Sequence, residues 1–375
     1  MLDAIVQLGN LVFHSDPQKL MESLVRKRTL KGKNETYYYL ELQLSTKGEP
    51  LHLAVKEYAK TDPFRTPKAL HYVGITSAAG LQFHVTGHDL KHLCSQVLPA
   101  LLEKLPADSP LAKEIQIVLE NHFLLDPNCP KDKARYRYLL NVDTLPTAGK
   151  GFTQSLLQVK DIKKRPEIIA KTIIEAITKE RSLDAEQFVM YTISIDGKLI
   201  AHRPDYIDVI LQDQVSNFSK TSDGVCYVSG KETKVSAELT KFKFKYYITD
   251  KINFSRNFSK KFDRNFQLSE EAAWRILLGE RYIMNHLRVR LGSFSVYLIP
   301  EYLNNHSYEH SKMHSSIQQI KEDVSKVNQL GYVTQLENEM MRDLSSIERK
   351  IEETQHLNLN FLFFEENKNE MKVHL

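Results

Sequence analysis

Between Gly224 and Ala273 the chain carries the frame of two zinc knuckles with most of their ligands missing. Cys226-Tyr227-Val228-Ser229-Gly230 keeps the spacing of a C-x-x-C-G knuckle, with serine in the second cysteine's place. Asn265-Phe266-Gln267-Leu268-Ser269-Glu270-Glu271-Ala272-Ala273 keeps the frame of a second knuckle with both cysteines gone. Zinc takes four ligands in a tetrahedron, most often cysteine thiolates and histidines. The framed positions hold Cys226, Ser229, Ser269 and Ala272, and no histidine lies between Cys226 and Ala273 to substitute. The scaffold is a small ribbon-like insertion whose fold rests on phenylalanines and hydrogen bonds, and the sequence assigns it no metal ligand and no cofactor.

A basic, aromatic-rich segment runs between the two frames. In Lys241-Phe242-Lys243-Phe244-Lys245, period-two alternation predicts a strand with three ammonium groups on one face and two phenyl rings on the other. Lys251, Arg256, Lys260, Lys261 and Arg264 extend the cluster, opposed only by Asp250 and Asp263. Phe254, Phe258, Phe262 and Phe266 interleave with these bases. Basic groups pair with phosphates and release counterions, while rings stack on bases or anchor a loop in a core. The eight bases from Lys241 to Arg264 are the candidate nucleic-acid contacts. An edge strand whose lysines block aggregation would show the same pattern.

Net charge is only +4, so a nucleic-acid role must come from this local clustering. Three irregularly spaced cysteines argue against a disulfide framework and fit a reducing compartment. Met1 to Phe13 has Asp3 where a secretory signal would be basic. No stretch approaches the roughly 20 apolar residues that span a bilayer. These features predict a soluble cytoplasmic protein without a membrane partner.

Hydrophobic periodicity predicts an α+β fold, with antiparallel hairpins and sheets packed with helices. Tyr37–Leu44 and Leu51–Tyr58 form one hairpin, and Phe188–Ile195 with Lys198–His202 a second, turned by Asp196-Gly197. Helices are predicted from Leu2, from Asp89 toward Leu102, over Leu111–Leu125, after Pro166 and over Trp274–Leu291. Phe294–Ile299 reads as a strand stopped by Pro300, and Ser311–Gln355 carries helical spacing. The division is an amino-terminal α+β domain over 1–220 and the ribbon-like module with its basic strand over 221–275. A mainly helical segment over 276–375 ends in a strand.

Other motifs carry less. His84, His88 and His92 lie at i, i+4 and i+8, and His88-Asp89 has the look of the pair in metal phosphohydrolases, but Gly87 and a cap at Asp89 break the helix that would align them. Thr147-Ala148-Gly149-Lys150-Gly151 has the Gly-Lys pair of a phosphate loop, yet Gly151 replaces the hydroxyl that holds magnesium. No nucleophile–histidine–acid signature occurs, so a non-catalytic role is expected.

In family order, Asp196-Gly197-Lys198, Cys226-x-x-Ser229-Gly230, Tyr246-Tyr247-Ile248-Thr249-Asp250-Lys251, the second knuckle frame, Gly279, Tyr297-Leu298-Ile299-Pro300-Glu301 and Asn360-Phe361-Leu362-Phe363-Phe364 follow one another. This block resembles the large subunit of type I-B CRISPR surveillance complexes (Cascade). The resemblance implies a subunit near the 5′ end of the guide RNA that reads the motif beside the target in duplex DNA and aids R-loop formation. A separate helicase–nuclease is then recruited in trans, and the other surveillance-complex subunits are partners. The family often has cysteines where this chain has Ser229, Ser269 and Ala272, so metal is not carried over. The alternatives are a metal-dependent phosphohydrolase or nuclease using His84, His88, Asp89 and His92, and a scaffold that binds only guide RNA.

Overall fold

A computed structural model describes residues 1–28, 30, 34–74, 81–216, 221–237, 241–244, 266–291, 294–302, 315, 317–319, 321–322, 357–367 and 370–374. The chain leaves and re-enters its first unit. Met1–Leu24 belongs with Gln214–Leu375, and Val25–Asp213 forms the second unit. The division at 220 and 275 read from motifs follows the chain order, whereas this one follows contacts.

The first unit opens with α1 (Leu2–Val12), whose Ala4, Ile5 and Leu8 are fully buried, and α2 (Pro17–Leu24), which buries Met21 and Leu24. Ser23 Oγ donates to the Val12 carbonyl at 2.9 Å and ties the two helices at their turn.

In the second unit β1 (Tyr37–Leu44) and β2 (His52–Tyr58) make the expected antiparallel pair, from Tyr37 opposite Tyr58 to Gln43 opposite His52. Then come α3 (Arg65–Ala69), α4 (Leu90–Leu93), α5 (Val97–Leu102), α6 (Pro110–His122), β3 (Phe123–Leu125), β4 (Tyr138–Leu140), α7 (Phe152–Ser155), α8 (Lys164–Arg181), β5 (Phe188–Ile195), β6 (Lys198–Leu199) and α9 (Pro204–Gln214). The helix expected over Leu111–Leu125 ends at His122. Phe123 turns extended and its strand pairs with β4, Phe123 opposite Leu140. The turn into β6 has Asp196 and Gly197 at positive φ, +47° and +77°, as a two-residue hairpin loop of this sequence demands.

The main sheet of this unit has the order β2-β1-β5-β6. One junction departs from the antiparallel expectation: β1 and β5 run parallel. Every residue of β5 is buried, which is how a strand reads when both faces are covered. The buried carboxylate of this sheet is satisfied. Glu41, 2% exposed, accepts from Lys56 Nζ at 2.6 Å, Ser194 Oγ at 2.7 Å and Gln43 Nε2 at 3.0 Å. Burial pushes its carboxyl up, but these hydrogen bonds outweigh that and hold it below the usual glutamate range. Arg165 and Asp126 form a buried ion pair at 2.7 Å, and Arg165 also donates to the Val159 and Leu157 carbonyls.

The first unit resumes with β7 (Ser222–Val225) and β8 (Glu232–Val235), then α10 (Glu270–His286), β9 (Arg288–Leu291), β10 (Phe294–Tyr302), β11 (Leu357–Asn367) and β12 (Glu370–His374). The helix expected over Trp274–Leu291 therefore ends at His286, and residues 288–291 pair with β10. In 276–375, expected mainly helical, the described residues carry four strands in the order β12-β11-β10-β9, all antiparallel. Most of Ser311–Gln355 lies outside the described residues. Pro300 does not stop β10, which runs to Tyr302 with Pro300 opposite Leu359. β9 pairs only as far as Tyr297, so β10 is an edge on that side at Pro300 and tolerates a missing N–H. Tyr297, Ile299, Leu362 and Phe364 face α1 and α10 in one core, with Tyr297 stacked on Phe364 at 4.3 Å.

Helices α1 and α10 touch backbone to backbone. A Cβ on Gly9 would lie 1.8 Å from the Arg275 carbonyl oxygen, and one on Gly279 would lie 2.0 Å from that of Ile5. Each glycine is the hole for the other helix. In an exposed helix Gly→Ala gains about 1 kcal/mol of propensity. Here overpacking costs about 1–3 kcal/mol or more and wins. Gly279→Ala is expected to lower the denaturant midpoint of the first unit, and an unchanged or raised midpoint contradicts this close approach.

Candidate functional site

The two eroded knuckles meet. The β7–β8 hairpin turns through Cys226–Lys231, closed by Cys226 N–H to the Lys231 carbonyl at 2.9 Å and Gly230 N–H to the Cys226 carbonyl at 2.8 Å. The second frame lies alongside. Tyr227 N–H donates to the Gln267 carbonyl at 2.9 Å, and Ser236 and Leu268 exchange both backbone bonds. Ser269, the N-cap of α10, contributes both its N–H and its hydroxyl here. Its N–H donates to Cys226 Sγ at 3.3 Å and its Oγ accepts from Ala272 N–H at 3.3 Å.

Cys226 is fully buried. Burial pushes its thiol up, but hydrogen bonds from Ser269 and Ser229 outweigh that and bring it down to about 7. Three of the four frame positions thus converge on one sulfur, and the fourth, Ala272, is buried without a donor atom. One thiol and two hydroxyls do not fit zinc. Among the described residues no three His, Cys, Asp or Glu side chains are grouped to hold a metal ion. Hydrogen bonds to the sulfur do the joining that a metal would do. A thiol whose pKa falls on folding adds stability above its unfolded value, about 8.5, and loses it as pH falls through about 7. Melting temperature is therefore expected to rise from pH 7 to pH 9 more in the wild type than in Cys226→Ala. Equal rises would contradict a thiolate held by Ser269.

Of the eight candidate bases, Lys241 and Lys243 are described. Lys245, Lys251, Arg256, Lys260, Lys261 and Arg264 lie outside the described residues. Alternation holds in burial: Phe242 and Phe244 are 3% and 2% exposed, and Lys241 and Lys243 are half-buried. It does not hold in the backbone. Residues 241–244 form a turn and bends instead of the expected strand. The reason is Glu280, whose buried carboxylate accepts the N–H of Lys243 at 2.9 Å and of Phe244 at 3.0 Å. These amides curl around one anion on α10 instead of joining a ladder. Phe244 packs on Tyr297 with ring centroids 5.6 Å apart, so the phenyl side is core.

The sequence pattern does not single out Glu280, although its signal is present. It falls at helical spacing from Ile276, Leu277, Ile283 and Leu287, on the face that those residues bury. Tyr227 is a second missed feature. At the hairpin tip it is 65% exposed, and its ring lies 5.1 Å from that of Phe266.

The histidine cluster is only partly brought together: His92 Nε2 lies 3.6 Å from Asp89 Oδ2, while the three Nδ1 atoms go to separate partners. His84 Nδ1 faces the Gly74 carbonyl, His88 Nδ1 lies 3.4 Å from Tyr72 Oη, and His92 Nδ1 bonds Gln96. Asp89 caps α4 through Lys91 N–H and pairs with Lys91 Nζ at 3.1 Å. Among the described residues no three His, Cys, Asp or Glu side chains group to hold a metal ion, so the metal phosphohydrolase alternative has no ligand set in these four residues. The loop at Gly149–Gly151 also has a structural use. Asp143 accepts Gly151 N–H at 2.7 Å and Thr153 N–H at 2.8 Å, so a carboxylate stands where a phosphate would need those amides.

Two family models match the chain. Residues 1–212 match the family described as CRISPR-associated protein TM1802 (cas_TM1802) N-terminal domain, and residues 223–375 match its central domain. The chain belongs to this family of CRISPR-associated proteins. A search of curated proteins finds none that matches it. Among the described residues no helix is long and apolar enough to cross a membrane.

Proposed function

We propose that this protein is the non-catalytic large subunit of a type I-B-like RNA-guided surveillance complex, acting in the cytoplasm. In this reading it recognises the target-adjacent motif in duplex DNA, aids R-loop formation and recruits a helicase–nuclease in trans. Guide RNA and the other complex subunits are its standing partners. Guide pairing reads the target sequence, while the protein supplies backbone contacts and reads the short motif. Membership in a CRISPR-associated family supports the setting.

The observation that carries the reading is the Glu280 clamp. It fixes the backbone at Lys243 and Phe244 to a 17-residue helix, with Phe242 and Phe244 in the core. A segment held in this way presents its charges at a defined place, which phosphate contacts require. Lys241, Lys243 and Lys245, with Lys251, Arg256, Lys260, Lys261 and Arg264, are the proposed contacts.

Phosphate pairing is sequence-independent, so removing it weakens binding uniformly across duplexes. In the assembled complex, Lys243→Ala with Lys245→Ala is expected to weaken duplex binding for every sequence. The salt slope should fall by about one for each lysine–phosphate pair removed. Unchanged affinity and slope would overturn the assignment.

A further inference from the structure

The second unit holds a cluster of hydrogen-bond donors without an acceptor. The run Val25–Arg28 threads between two loops: Arg26 N–H donates to the Tyr72 carbonyl at 2.8 Å, and Arg28 N–H to that of Pro63 at 3.5 Å. Nε of Arg26 and Nε of Arg28 are both buried without a hydrogen-bond partner. Among the described residues no carboxylate pairs with either guanidinium. Tyr58, 1% exposed, has a buried hydroxyl without a partner.

These groups share one neighbourhood. Arg28 lies close enough to Tyr58, His88 and Tyr191 to act electrostatically on each, and His88 reaches Tyr72 Oη. Burial and the Arg28 charge hold His88 below the usual histidine range. The carboxylates acting on this cluster are engaged elsewhere: Asp62 caps Phe64 N–H at 2.8 Å, and Asp89 pairs with Lys91. Arg26 is packed against Gly74, where a Cβ would lie 3.0 Å from its Cδ.

A guanidinium has five donors and does not give up its charge, so leaving one of its N–H groups buried and unpaired is costly. Leaving a phenol hydroxyl unpaired beside it adds to the cost. The ligand that relieves both is an anion with several acceptor oxygens, and arginine forks match phosphate oxygens in particular. We propose that Arg28, Tyr58 and His88, with Arg26 beside them, form a phosphate-binding site in the second unit. It is independent of the basic segment, whose residues all lie in the first unit. The phosphate is either a free ion or a phosphodiester of a nucleic-acid strand.

The test is calorimetric titration of the full-length protein with inorganic phosphate, and separately with short RNA and DNA oligonucleotides. Wild type, Arg28→Gln and Tyr58→Phe are compared. The expected result is binding by the wild type that weakens about tenfold or more in Arg28→Gln, the size of one missing charge-assisted pair. Binding should also weaken in Tyr58→Phe, whose ligand-free melting temperature is unchanged or raised because it removes an unpaired hydroxyl. That second variant keeps the test valid if Arg28→Gln fails to fold. Tighter binding of the oligonucleotides than of inorganic phosphate, weakened to the same degree in the variants, assigns a strand; the reverse assigns the free ion. No binding of any probe to the wild type, or equal binding by wild type and Tyr58→Phe, overturns the site.

Discussion

The backbone approach of α1 to α10 is what the first unit is built on. Gly9 and Gly279 let the two helices come closer than any side chain allows, and the core then closes around them. With α10 fixed, three other features acquire positions. Its N-cap Ser269 meets Cys226, its middle carries Glu280 to the amides of Lys243 and Phe244, and its end leads through Leu287 into β9. The opening residues of the chain thus help to order a segment read much later in the sequence.

Local chemistry made part of this legible. The Asp196-Gly197 turn, the Tyr37–Tyr58 hairpin and the cap at Asp89 follow from a few adjacent residues, and the structure has each of them. Partners distant in sequence were harder to see. Nothing near Tyr37 announces that β1 pairs in parallel with β5, although β5's mostly apolar run, interrupted only by Thr192 and Ser194, was the available hint. Nor does the amphipathic pattern of α1 say which helix it meets, because a hydrophobic stripe fixes a face and not a partner. The Lys-Phe alternation gave the right burial and the wrong backbone. Period two describes which side chains go inside, and a single buried carboxylate was enough to bend the chain out of a ladder.

Where the two knuckle-spaced frames meet, the Cys226 sulfur accepts hydrogen bonds from two serines. Such bonds are individually modest, and they need the surrounding packing of Phe266, Leu268 and Val235 to exclude water. A polar anchor of the same kind recurs at Glu280, again with backbone amides as donors to a buried acceptor. Glu280 thus ties the start of the basic segment to α10, Ser269 ties the second frame to Cys226, and Phe242, Phe244 and Phe266 lie in the core.

Hydrogen exchange at the amides of Lys243 and Phe244 tests the Glu280 clamp most directly. In the wild type both are expected to exchange slowly. In Glu280→Gln a single carbonyl oxygen remains for two donors, and exchange at one or both is expected to accelerate. Fast exchange at both amides in the wild type, or rates unchanged by Glu280→Gln, would contradict the claim that α10 holds the basic segment.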